Sequence, residues 1–106
     1  MKSTYAEHAD IFKAFCDETR LEVLSLLQNG EKCACVLLSK LAIGQSTLSY
    51  HMKILVESGV VSARKAGKWM YYSISEEGSG EALRLLREIT AVAPVDNAEV
   101  KKGCCA

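Results

Sequence analysis

Ser58-Gly59 divides two stretches of opposite conformational preference, and this division constrains the fold more than any other feature of the chain. Before it, Leu48, Met52 and Leu55 recur at helical spacing and predict a helix over residues 46–57. After it, residues 60–64 and 69–74 are rich in β-branched and aromatic side chains, and Lys65-Ala66-Gly67-Lys68 lies between them. That pattern predicts a hairpin with a basic tip. Upstream, residues 33–41 predict a short helix with Leu37, Leu38 and Leu41 inward, and Ala42-Ile43-Gly44-Gln45 reads as a tight break. A short helix, a Gly-containing turn and a second helix make a helix-turn-helix. A basic hairpin directly after it makes a winged helix.

The flanks are helical. Residues 4–15 place Ala9, Phe12 and Phe15 on one side, and Asp17 reads as the N-cap of a second helix with Glu18 in its positive first turn. Leu21, Val23, Leu24, Leu26 and Leu27 make that helix strongly apolar, and Asn29-Gly30 stops it. A last helix over residues 80–92 carries Leu83, Leu86 and Ile89 on one stripe, and Pro94 ends it. The expected architecture is mainly α with one small hairpin, in the order α-α-α-α-β-β-α. Residues 1–93 form one domain, and residues 94–106 form a flexible tail containing Cys104 and Cys105.

At 106 residues the chain can bury a core without disulfide staples, and it has little room for a catalytic domain with its own cofactor cradle. Thirteen basic and thirteen acidic residues exclude a histone-like, uniformly basic binder. No apolar run reaches the length of a membrane span, and the first ten residues lack the apolar stretch of a signal peptide. The chain therefore reads as cytoplasmic, with no membrane partner. Its five cysteines, an odd number in a reducing compartment, argue against a disulfide framework.

The charge is unevenly placed. From Gly44 to Ser75, Lys53, Arg64, Lys65 and Lys68 face a single acid, Glu57, giving that segment +3 and leaving −3 elsewhere. Opposite the apolar face of the 46–57 helix lie Ser46, Ser49, Tyr50 and Lys53, and Thr47 and His51 belong to the same expected DNA-contacting set. Hydroxyls, an aromatic and a lysine near a helix N-terminus suit major-groove reading and phosphate contact in double-stranded DNA. Each such residue taken singly is an ordinary exposed polar position. The ordered combination of helix and basic hairpin carries the reading.

Several segments together resemble the ArsR/SmtB family of metal-responsive repressors, in family order and spacing. These are residues 12–24 (FKAFCDETRLEVL), Cys33-Ala34-Cys35, residues 45–53 (QSTLSYHMK), Gly59-Val60-Val61 and residues 64–72 (RKAGKWMYY). The resemblance implies a homodimeric winged-helix repressor that leaves its operator when an inducing ion binds. It also implies a dimer interface built by the first and last helices. Phe12 and the stripe Leu83, Leu86, Ile89 are the expected interface, with packing inside one subunit as the alternative for the stripe.

Thiolates suit thiophilic ions, so Cys33 with Cys35 and Cys104 with Cys105 suggest metal or redox chemistry. In the arsenic-responsive branch, the resemblance implies that the Cys-x-Cys opening the short helix holds arsenite or antimonite, As(III) or Sb(III). Some relatives add a third cysteine where this chain has Leu38. A third sulfur then has to come from elsewhere, with Cys104 or Cys105 the natural candidates. Other family members bind arsenicals with vicinal cysteines near the C-terminus, so the resemblance also allows the tail pair to be the whole site, with Cys33 and Cys35 as bystanders. Cys16 reads as a small core residue. Residues two apart on a helix point about 200° apart, so chelation by Cys33 and Cys35 is expected to unwind the first turn of their helix. A thiol at that position is expected to have a lowered pKa. Residues 81–92 lack the histidine that the zinc-sensing branch uses there, and His8 and His51 do not read as ligands; for His51, packing or phosphate contact is the simpler account.

The leading function is thus a repressor of a metalloid-resistance operon. Alternatives are a cadmium, lead or zinc sensor using the same thiols, including a site built from both cysteine pairs, and a thiol redox switch. A small thiol enzyme is disfavoured, because no Cys-x-x-Cys lies beside a strand and no acid/base partner is evident.

Overall fold

The computed structural model describes residues 3–94. Its elements are α1 (Thr4–Lys13), α2 (Glu18–Leu27), β1 (Lys32–Cys33), α3 (Ala34–Lys40), α4 (Gln45–Glu57), β2 (Val61–Ala66), β3 (Trp69–Ile74) and α5 (Glu76–Ile89). This is the expected winged helix-turn-helix with one added strand.

Capping residues set the helix starts. The Ser3 side chain accepts from the Ala6 N–H at 3.1 Å. Asp17 Oδ2 accepts from the N–H groups of Thr19 (2.8 Å) and Arg20 (3.2 Å), as expected of an N-cap. The first helix stops at Lys13 rather than at residue 15. Ala14 caps it and points into the core, while Phe15 stays more exposed.

The last helix begins at Glu76, four residues earlier than expected, and ends at Ile89 rather than at residue 92. Ser75 is its N-cap, accepting from the Gly78 N–H at 3.0 Å. Gly78 lies inside the helix where α5 crosses close to the end of α4: a Cβ there would sit 1.6 Å from the Gly59 carbonyl oxygen.

Ala14, Val23, Leu27, Leu37, Leu41, Leu48, Met52, Leu55, Val60, Val61 and Ala82 form one core, with Ile11 of α1 packed against it. Every helix contributes, so the helix-turn-helix is held on both sides by the flanking helices. Leu37 and Leu41 are buried as expected and Leu38 is half-buried, whereas Leu21 lies outside the core, 49% exposed.

The wing is longer than its sequence suggests. β2 and β3 pair antiparallel from Val61↔Ile74 to Ala66↔Trp69, so Lys65 and Ala66 belong to the strand. Gly67 takes a left-handed φ of +63° in the tight turn that remains, a conformation natural to glycine. The sheet has a third strand that the sequence did not suggest: β1 pairs with β3 through Lys32↔Tyr72 and Cys33↔Tyr71, giving the order β1-β3-β2.

Candidate nucleic-acid interface and thiol site

α4 buries Leu48, His51, Met52 and Leu55 and exposes Ser46, Thr47, Ser49, Tyr50 and Lys53. The four buried residues follow a three-to-four-residue spacing, so the polar ones are carried together onto the outer side. Tyr50 is 61% exposed, a large aromatic held in solvent beside three hydroxyls. Lys65 and Lys68 are exposed on the wing, and Lys68 Nζ lies 5.7 Å from the centre of the Trp69 ring.

One expected DNA contact, His51, is placed differently, and another, Arg64, is exposed on the wing but already paired. His51 is turned inward, only 7% exposed. Arg20 Nη1 donates to its Nδ1 at 2.9 Å, and Asp17 Oδ2 lies 3.8 Å from the same nitrogen. Arg20 is itself buried, and its Nε donates to the Lys13 carbonyl oxygen at 3.1 Å. One guanidinium therefore ties the end of α1 to α4, and His51 belongs to that support rather than to the outer face. The sequence hint was its spacing: it precedes Met52 and lies three residues after Leu48 on the inward side.

Arg64 forms a two-pronged pair with Glu31, Nε to Oε2 at 2.8 Å and Nη2 to Oε1 at 2.7 Å, and stacks 4.6 Å over the Tyr71 ring. The pair draws the Glu31 carboxyl below its usual range and raises Arg64. Glu31 immediately precedes β1, so this fork fastens the β1 side of the sheet to the wing.

The cysteines give the largest geometric departure. Cys33 is not in the first turn of α3. It is the N-cap, with extended backbone (φ −70°, ψ 147°), and it doubles as the end of β1. This residue's non-helical backbone removes the 200° divergence. The Cys33 and Cys35 Sγ atoms lie 2.7 Å apart, with Cys35 donating, and the Cys35 N–H also points at Cys33 Sγ at 3.4 Å. The two sulfurs thus already face each other with α3 intact. The Cys35 thiol, followed by backbone N–H donors, holds Cys33 below the usual cysteine range, while bonding to Cys33 pushes Cys35 up. Cys33 is buried and Cys35 is exposed.

Cys16, expected in the core, is exposed, and its Sγ donates to the Phe12 carbonyl oxygen at 3.2 Å. Among the described residues, no group of three or more His, Cys, Asp or Glu side chains is placed to hold a metal ion. Cys104 and Cys105, and nearly all of the expected tail, lie outside the described residues.

A model of the bacterial regulatory protein, arsR family, matches residues 17–63, the stretch from the α2 cap into β2. An HTH-type transcriptional regulator of Methanocaldococcus jannaschii is 43% identical over 86 residues, 80% of this chain and 97% of that one. The arsenical resistance operon repressor of Staphylococcus xylosus is 45% identical over 74 residues, 70% of this chain and 71% of that one. The chain belongs to the ArsR family. A solved ArsR-like transcriptional regulator from Rhodococcus sp. RHA1 agrees in fold, with a TM-score of 0.71 at 32% identity over 83% of this chain and 81% of that one.

As an ArsR-family member the chain is a DNA-binding transcriptional repressor. Among the described residues, no helix is long and apolar enough to cross a membrane. Leu83, Leu86 and Ile89 form an apolar stripe on α5 that is 53%, 46% and 52% exposed. With Phe12 and Phe15 at the end of α1, Leu83 and Leu86 line a groove of about 470 Å³.

Proposed function

We propose that the chain is a homodimeric repressor of a metalloid-resistance operon, released from double-stranded operator DNA when trivalent arsenic or antimony binds Cys33 and Cys35. The 2.7 Å approach of the two Sγ atoms carries this reading. Two thiols already facing one point can be bridged by a thiophilic ion with small adjustment. Cys33 lies at once in β1, which pairs with the wing strand β3, and at the cap of α3, which precedes the reading helix. Drawing both sulfurs onto one ion shifts that junction and with it the relation between α4 and the wing.

Ser46, Thr47, Ser49, Tyr50 and Lys53 enter the major groove, and Lys65 and Lys68 hold phosphates beside it. The bare stripe on α5, with Phe12, is covered by the same stripe of a second subunit, which spaces two reading helices for a two-fold operator. The name of the S. xylosus relative supports the arsenical assignment. One of Cys104 and Cys105 supplies the third sulfur for arsenite.

The test is a titration of reduced full-length protein on its own upstream DNA with arsenite, antimonite, cadmium and zinc, followed by fluorescence anisotropy. Arsenite and antimonite should release the DNA at the lowest concentrations. The Cys33→Ser/Cys35→Ser protein should bind the operator like wild type and stay bound. Normal release from that variant removes the pair from the inducer site. Release by cadmium or zinc alone replaces the metalloid with a divalent ion.

A further inference from the structure

Beside Cys35 a cavity of about 400 Å³ lies between α3, α4 and the wing. Leu38, Trp69, Met70 and Tyr72 give it a hydrocarbon and aromatic side, and Gln45, Ser49 and Lys68 give it a polar one. Its volume falls within the roughly 300–1,000 Å³ of small-molecule pockets. The lining also includes Ser49 of the reading helix and Lys68 of the wing turn. It thus joins one thiol of the pair to the helix and the wing turn proposed to face DNA.

We infer that this cavity holds the organic substituent of an aryl-substituted trivalent arsenical whose arsenic is bound by Cys33 and Cys35. This rests on the thiol pair being the inducer site. An arylarsonous acid has two arsenic–oxygen bonds to exchange and one arsenic–carbon bond to keep. Each oxygen leaves as water with one thiol proton, two arsenic–sulfur bonds form, and arsenic stays trivalent. Two sulfurs complete that exchange, and two are what the described residues bring together. The position that a third thiolate fills on other arsenic species is then the aryl group, and half-buried Leu38 on the next turn of α3 gives it an apolar wall instead. A ring seated there lies between Ser49 and Lys68, so it separates the reading helix from the wing turn and opposes DNA binding directly.

Trp69 is the one tryptophan of the chain, so the cavity has its own reporter. Full-length protein is titrated with phenylarsonous acid and methylarsonous acid, with Trp69 emission and DNA release both recorded. Phenylarsonous acid should change Trp69 emission at one equivalent per chain and release DNA at a midpoint at least tenfold below that of methylarsonous acid. Leu38→Phe fills the cavity and should bring the two midpoints together while leaving the methyl compound's midpoint in place. Met70→Phe, on the wing side of the cavity, should do the same and serves if Leu38→Phe folds poorly. Equal midpoints in the wild-type protein, or an unchanged ratio in whichever of these variants fold, overturn the inference. If release then still requires Cys33 and Cys35, the inducer site survives without the cavity. If Cys33→Ser/Cys35→Ser still releases DNA with both compounds, both readings fall together.

Discussion

Cys33 and Cys35 are two residues apart but belong to different secondary structures, and this makes them a pair. The extended backbone of Cys33 aims its sulfur along the start of α3, where Cys35 already faces it. Arg64 shows the opposite case, a cation whose charge is already committed. Glu31→Gln weakens its fork and frees the guanidinium for phosphate. The variant should bind random DNA more tightly than wild type, with a salt slope steeper by about one unit, read from affinities at several salt concentrations. Asp17 gives a pH prediction. Desolvation pushes its carboxyl up, but the Arg20 and Thr19 N–H groups and the neighbouring His51 and Arg20 outweigh it, and the net shift is downward. A carboxyl lowered by folding adds stability above its unfolded value and loses it as pH falls through the folded one. The Tm advantage of wild type over Asp17→Asn should therefore be full near neutrality. It should shrink as pH is lowered through and below the ordinary carboxylate range, as followed by circular dichroism.

At the scale of elements, α5 is positioned by a close approach rather than by a large buried face. Of its fourteen residues only Ala82 and Leu85 are buried. The first turn rests against the end of α4, where the Gly59 carbonyl oxygen occupies the place a Gly78 side chain would need. Gly78→Ala must push the helix away, and overpacking of this kind costs about 1–3 kcal/mol. Thermal denaturation should show a lowered Tm, whereas Gly80→Ala, with open space around its added Cβ, should be neutral or stabilising. β1 is the other element set by its neighbours. Two residues make no strand alone, and Lys32 and Cys33 are extended because β3 offers free backbone partners on that edge.

For the whole molecule, the proposed function gives assembly to the α5 stripe and the third sulfur to Cys104 or Cys105. Leu83→Glu/Leu86→Glu places two carboxylates in the proposed subunit interface, at positions already about half exposed in one chain. Sedimentation should show a monomer of nearly unchanged Tm, and operator affinity should fall by at least about tenfold because two half-sites are no longer read together. Truncation after Lys102 removes Cys104 and Cys105. It should leave DNA affinity unchanged and raise the arsenite midpoint for DNA release, while methylarsonous acid, which takes two sulfurs, acts as before. Equal arsenite midpoints for the full and truncated chains would restrict the site to Cys33 and Cys35.

The sequence by itself determined the helix-turn-helix and its wing. Leu48, Met52 and Leu55 repeat at helical spacing, Asp17 caps α2, and the two β-rich arms flank a short basic tip, all signals carried within a few residues of one another. It also determined the outward polar side of α4, because helical periodicity puts Ser46, Ser49, Tyr50 and Lys53 opposite the apolar residues. Only the tertiary structure decided that Cys33 is a cap rather than a helical residue, that His51 faces Arg20, and that Arg64 is held by Glu31. These three depend on partners 31 or more residues away or on a neighbouring strand. Local propensity does not encode such contacts, because the backbone and side-chain partners that make them favourable exist only once the chain has folded.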